Sequence, residues 1–228
     1  MPLPFFEPIM AGAHWPGRAV ACLGAALCLA LTVLLCAQLP LLPSDLPVIV
    51  APLGASAVLV FAVPASPLAQ PWPVIGGNII STLVGVAIFR LVPDLALASG
   101  LAVGGAILVM SLLRCLHPPG GAAALTAVIG SQGIHAAGFG FAMVPVGINS
   151  IALVGLAMLF HRLSGRSYPH KPALPVQAAQ AERAAAGFIA EDIDRALEDM
   201  HADFDIARED LDMLLSRAEL HAKRRSGE

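Results

Sequence analysis

The sequence predicts an all-α protein: a polytopic membrane helical bundle of six segments, set out as an inverted 3+3 repeat with two broken or short helices, plus a cytoplasmic helical hairpin. Three observations predict it. The 228 residues are 57 % apolar and only 13 % charged, with a mean hydropathy of +0.77, well beyond a soluble domain. Charge is segregated: residues 1–164 hold four basic side chains (Arg18, Arg90, Arg114, Arg162) and three carboxylates (Glu7, Asp45, Asp94), while the last 64 residues hold nine basic and thirteen acidic ones. And a proline-glycine break opening onto small residues occurs twice inside apolar sequence, as Pro52-Leu53-Gly54-Ala55-Ser56-Ala57 and as Pro118-Pro119-Gly120-Gly121-Ala122-Ala123. Paired interruptions of this kind mark transporter sites built where two broken helices meet.

Taken in order, the first span runs over about 17–39, with Arg18 ahead of an apolar run too long for a cleaved leader. The second covers 46–63 and contains the first break; the third, 73–92, carries Pro73 and then Asn78. The fourth is 95–116. His117 precedes the short fifth piece, 118–130, and the last span, 139–163, carries Pro145 and then Asn149. Recurrence of the break and the asparagine in one order suggests halves 17–92 and 95–163, inverted if each crosses three times. Gly100 and Gly104 stand at GxxxG spacing, read as ordinary packing within the chain. Cys22, Cys28, Cys36 and Cys115 have neither CxxC spacing nor histidine company, so they read as small hydrophobes and no metal is expected.

Arg18, Arg114, and the group His161, Arg162, Arg166, His170 and Lys171 fall on one side of such a path. That places both termini in the cytoplasm, with Arg90 the exception. Residues 1–165 therefore form the transmembrane domain. A linker at 166–179 follows, unable to stay helical through Pro169, Pro172 and Pro175. From 180 to 228 the pattern is an acidic helical hairpin: Phe188, Ile189, Ile193, Leu197 and Met200 share a face, Asp203 or Asp205 caps the second helix, and Lys223, Arg224 and Arg225 end it.

A break within a membrane helix leaves first-turn N–H groups that need a partner, and a helix N-terminus favours an anion. The candidate binding residues are thus Gly54, Ala55, Ser56, Asn78, His117, Gly120, Gly121, Ala122 and Asn149. The alternative is a pair of kinks sealed by neighbouring carbonyls and hydroxyls. His117 is either part of the site, as a charge, hydrogen-bond donor or proton relay, or a cap at the cytoplasmic edge. Asn78 and Asn149 either serve a ligand or bridge helices. Ser56, Ser81, Thr82, Thr126 and Ser150 are weaker candidates, because bonding back to the preceding turn is the usual fate of a membrane hydroxyl. No carboxylate lies in a span and no nucleophile has a base at helical spacing, so no catalysis and no cofactor are expected.

Residues 51–71, Val74-Ile75-Gly76-Gly77-Asn78 and Leu116-His117-Pro118-Pro119-Gly120-Gly121-Ala122-Ala123-Ala124-Leu125 closely resemble the HPP family of integral membrane proteins, named for the His-Pro-Pro motif. The resemblance covers about residues 10–170. Since members in chloroplasts and cyanobacteria are described as nitrite transporters, it implies a transporter or channel for nitrite or a like small monovalent anion. The expected setting is the bilayer of a bacterial inner membrane, as a homo-oligomer, with a small inorganic anion as partner and no nucleic acid. The reading from a different class is a membrane scaffold or sensor that signals through the hairpin.

Overall fold

A computed structural model describes residues 15–39, 46–171, 189–200 and 204–226. The described residues are helical and contain no strand. In chain order they form α1 (Trp15–Ala37), α2 (Pro52–Ala62), a 3-10 turn (Pro67–Ala69), α3 (Pro71–Leu91), α4 (Leu95–Leu112), α5 (Pro118–Ile129), α6 (Gln132–Ala137), a π-helical segment (Ala142–Gly147) running into α7 (Ile148–Leu163), then α8 (Ala190–Met200) and α9 (Arg208–Ser226). Two compact units result, one of 1–64 and 68–168, the other of 65–67 and 169–228.

In the first unit four helices are long and apolar enough to cross a bilayer: Trp15–Ala37, Pro71–Leu91, Leu95–Leu112 and Ala142–Leu163. The second and fifth expected spans are shorter than a crossing. With 11 and 12 residues, α2 and α5 rise roughly 16–18 Å against a hydrocarbon core of about 30 Å. The reason is local. Pro52 stands at the start of α2, and Pro118 at the start of α5 favours an extended conformation at His117 before it (φ −141, ψ 107). The fourth span ends at Leu112 rather than 116. Arg114 adopts a left-handed conformation (φ 53), its N–H bonds to Ser111 O, and Cys115 N bonds to Met110 O; these paired bonds close a Schellman cap. Gly165 (φ 69) ends α7 the same way, with Arg166 N on His161 O. In the last span a further break interrupts the helix, where Val144 leaves helical geometry before Pro145.

The helices gather in two groups that cut across the halves expected from chain order. One core joins α1, α2 and α7 through Cys28, Leu53, Val60, Phe61, Leu153 and Ala157. The other joins α4 and α5 to α3 through Ala98, Ala102, Ala106, Met110, Ala124 and Val128. Each half thus gives its third helix to the other's group. The packed pairs (α3 with α4 and α5, α4 with α5, α1 with α7 and α2, α2 with α7, α2 with α5, α3 with α7) map onto themselves when α1, α2, α3 exchange with α4, α5, α7.

Burial gives the register of that correspondence. Pro52/Leu53, Ser56/Ala57 and Val60/Phe61 are buried in α2, as Pro119/Gly120, Ala123/Ala124 and Ala127/Val128 are in α5. Buried Val74, Gly77/Asn78 and Ser81/Thr82 in α3 answer Val146, Asn149/Ser150 and Leu153/Val154 in the π segment and α7. Asn78 therefore corresponds to Ser150, and Asn149 to Gly77; the two asparagines are not equivalents.

Glycines let α3 and α5 touch backbone to backbone. A Cβ on Gly85 would lie 2.3 Å from Ala124 O, one on Gly120 2.6 Å from Ser81 Oγ, and one on Gly77 2.6 Å from His117 Cβ. Gly100 and Gly104 differ: among the described residues nothing lies within 4 Å of a Cβ at either, so they take no part in the packing seen there, contrary to the sequence expectation.

In the second unit, Arg208 reaches from α9 to Asp194 of α8 with Nη2–Oδ1 at 2.8 Å and also pairs with Asp212. Ile193 is buried, whereas Ile189 and Met200, expected on the same face, are exposed. Asp205 accepts a hydrogen bond from Ser66, and the N–H groups of Asp210 and Leu211 in the first turn of α9 bond to Ala207 O. Residues 172–188, including most of the expected linker and Phe188, and Asp203 lie outside the described residues.

Candidate functional site

The two breaks meet. Ser56, in the second turn of α2, and His117, the residue that opens α5, share a 2.8 Å hydrogen bond between Oγ and Nε2. Asn78 of α3 donates from Nδ2 to Ser56 Oγ and to Ser150 Oγ of α7, each at 3.2 Å. Four polar side chains from four elements thus form one connected cluster, and all four are buried at 1 % exposure or less.

Each is delivered by its local structure. His117 is held between Cys115, over which α4 is capped, and the prolines that start α5. Its Nδ1 lies 2.9 Å from Leu68 O, in the 3-10 turn. That turn is fixed in place by Tyr168, whose hydroxyl donates to Ala69 O at 2.9 Å, and by Gln70, whose Nε2 donates to Pro64 O at 3.0 Å. Trp72 Nε1 donates to Leu113 O at 3.2 Å and ties the start of α3 to the end of α4. Gly77, with no side chain, makes room for His117. At the far end of α2, His161 Nε2 lies 3.0 Å from Val60 O and its ring stacks on Phe61.

The hydrogen-bond directions follow from chemistry. Leu68 O can only accept, so Nδ1 of His117 carries a proton. No charged side chain belongs to the cluster among the described residues, and an unpaired imidazolium would be costly there. The neutral ring then accepts at Nε2 from the Ser56 hydroxyl; Pro52 O, at 3.4 Å, is its more distant alternative. Ser150 donates to Val146 O at 2.9 Å. The run Asn78 to Ser56 to His117 to Leu68 is therefore a single directed chain of donors.

Of the residues expected from the sequence, Ser56, Asn78 and His117 come together. Gly120 sits against Ser81, Met110 and Gly77 as a packing contact. Gly54 faces open space, Gly121 approaches Val103 of α4, and Ala55 and Ala122 are exposed, all off the cluster. Asn149 is buried elsewhere: its Oδ1 accepts from Val50 N at 3.1 Å, and its Nδ2 donates to Val48 O and Cys36 Sγ. It staples the approach to α2, which is the helix-bridging alternative.

The first-turn donors are also largely taken. Leu53 N and Gly54 N bond to Val50 O and Ala51 O at 3.0 Å, Gly120 N bonds to His117 O at 2.8 Å, and Pro52, Pro118 and Pro119 have no N–H. The cluster's available polar groups are thus side chains rather than bare helix ends. Ser150, a weaker candidate by sequence, belongs to the cluster. It does bond back to its own helix, yet its oxygen also receives Asn78. Its signal was spacing: Asn78 stands five residues after Pro73, and Ser150 five after Pro145.

Residues 11–169 match the family model described as HPP, transmembrane region, which takes in the whole cluster. The chain belongs to the HPP transmembrane family. Two relatives from Dictyostelium discoideum, each described as a transmembrane protein, are 37 % identical over 133 residues and 38 % over 121. These alignments cover 56 % and 51 % of this chain but 46 % and 39 % of the relatives, so the chain spans less than half of either. No solved structure matches it. It is an integral membrane protein, and the HPP motif itself, His117-Pro118-Pro119, supplies both the cluster's imidazole and the break that exposes it to α2.

Proposed function

We propose that this HPP protein is a transporter or channel for a small monovalent anion, with nitrite the first candidate, passing through the Ser56–Asn78–His117–Ser150 cluster. One observation carries the reading: buried polar side chains from both halves converge where two half-length helices meet inside an apolar bundle. Polar groups are costly at membrane depth and concentrate where a solute is handled. The exchange of third helices between the groups supports an inverted-repeat carrier, in which one group moves against the other around a fixed site. Both termini are assigned to the cytoplasm of a bacterial inner membrane on the basis of Arg18, Arg114 and Arg162.

Purified protein in liposomes should pass nitrite or formate faster than protein-free vesicles do. No selective flux of any probe would sink the proposal. His117→Ala should lower flux while leaving protein that can still be extracted and purified.

Exposed Met200, Phe204 and Leu214 in the second unit favour the scaffold or sensor as a second reading. Removing 169–228 separates the two: a carrier retains flux without its tail, whereas a scaffold loses its output.

A further inference from the structure

Asn78 holds an unmatched group. The hydroxyl hydrogens of Ser56 and Ser150 are committed to His117 Nε2 and Val146 O, so both hydroxyl oxygens must receive donors. The Asn78 amide nitrogen supplies one to each, which fixes the amide's orientation and turns Oδ1 away from both serines. Oδ1 finds no hydrogen-bond partner among the described residues, although Asn78 is only 1 % exposed. A buried carbonyl oxygen without a donor is costly, and most at membrane depth.

The geometry points to a guest that enters the cluster as a neutral hydrogen-bond donor: a small weak acid in its protonated form, its O–H given to Asn78 Oδ1. The inference rests on the transport reading above and narrows it. Every group in the cluster is uncharged and the neighbouring first-turn N–H groups are occupied, so a bare anion would lie buried without a counter-charge and beside the lone pairs of Oδ1. The protonated acid removes that charge and satisfies the orphaned oxygen. Proton and anion then cross together on one molecule and separate in water on the far side, with no proton taken from or given to His117. Anions of strong acids, which have no such neutral form at ordinary pH, are refused.

The test uses the full chain in liposomes containing a pH-sensitive dye, with nitrite, formate, nitrate and ammonium as probes and protein-free vesicles as background. Nitrite and formate should acidify the lumen through the protein, and the rate should rise about tenfold for each pH unit lowered, in step with the protonated fraction. Nitrate should give no flux. A membrane potential imposed by a potassium gradient and valinomycin should leave the rate unchanged. Acceleration by potential, or nitrate moving as fast as nitrite, overturns the inference while the transport reading stands. Movement of ammonia alone overturns the weak-acid guest, and no movement of any probe removes the transport reading as well. Asn78→Leu should cut the nitrite rate by roughly tenfold or more; an unchanged rate also overturns the inference, and the potential measurement on the unaltered protein does not depend on how that variant folds.

Discussion

Ser56 Oγ lies 2.8 Å from His117 Nε2, joining two residues 61 positions apart in the chain. Each comes from a helix too short to cross the bilayer, and the bond is where the two halves of the polar cluster become one. With His117 Nδ1 held by Leu68 O, the serine is the ring's donor at the other nitrogen. Ser56→Ala leaves Nε2 without a donor and takes away one of the two acceptors of the Asn78 amide. An orphaned buried polar group costs about 1–3 kcal/mol. Thermal unfolding in detergent should therefore show Ser56→Ala clearly less stable, and Ser56→Thr, which keeps the hydroxyl, closer to the parent. Equal stability of the two variants would mean that the bond contributes nothing.

The contact of α3 with α5 predicts a sharp contrast among glycines. A methyl on Gly85 would sit 2.3 Å from Ala124 O, a backbone atom that cannot swing aside, whereas one on Gly121 meets only Val103 Cγ1 at 3.7 Å. Gly85→Ala must push two helices apart, at roughly 1–3 kcal/mol for an overpacked site. Gly121→Ala should be neutral or stabilising, because alanine is the better helix former by about 1 kcal/mol. Melting temperatures of the two purified variants check the order, and a stable Gly85→Ala would refute the close approach.

Much of this was legible in the sequence. Hydropathy and the segregation of charge give the membrane unit and the tail, and proline-glycine punctuation gives both short helices. Ser56, Asn78 and His117 could be picked out because polar side chains stand out in apolar sequence. What could not be read was depth and direction. Ala55 and Ala122 are as small as their neighbours, and only helix rotation turns them outward. Asn149 looked like a twin of Asn78, but one residue of register sets it against Val50 rather than in the cluster. The trading of α3 and α7 between groups is a long-range packing choice, and no local periodicity encodes it.

The outer face of α4 bears on the expected homo-oligomer. Gly100 and Gly104 have open space where a side chain would go, one helical turn apart, the spacing at which membrane helices approach closely. Gly100→Leu with Gly104→Leu should leave the folded chain intact, since a Cβ at either position meets none of the described residues. If a second copy packs there, the doubly substituted protein should run as a smaller species by light scattering in detergent. An unchanged mass would place any self-association on another face.

Tyr168 is the chain's single tyrosine, which makes its ionisation directly readable. Its hydroxyl donates to Ala69 O at 2.9 Å, and it lies beyond the end of α7, buried at the base of the turn that presents Leu68 O to His117. Burial pushes the phenol's pKa upward by penalising the phenolate. The folded state therefore favours the neutral phenol above the unfolded value of about 10. The associated stability is fully present below that value and is lost as pH rises towards the folded pKa. Ultraviolet absorbance of the phenolate in an alkaline titration should thus stay absent past pH ~10 and appear together with loss of the folded signal. Ionisation near the ordinary value in folded protein would show Tyr168 to be solvent-accessible. Tyr168→Phe deletes the bond to Ala69 and frees the 67–69 turn, so it should lower flux through His117 without touching any residue of the cluster.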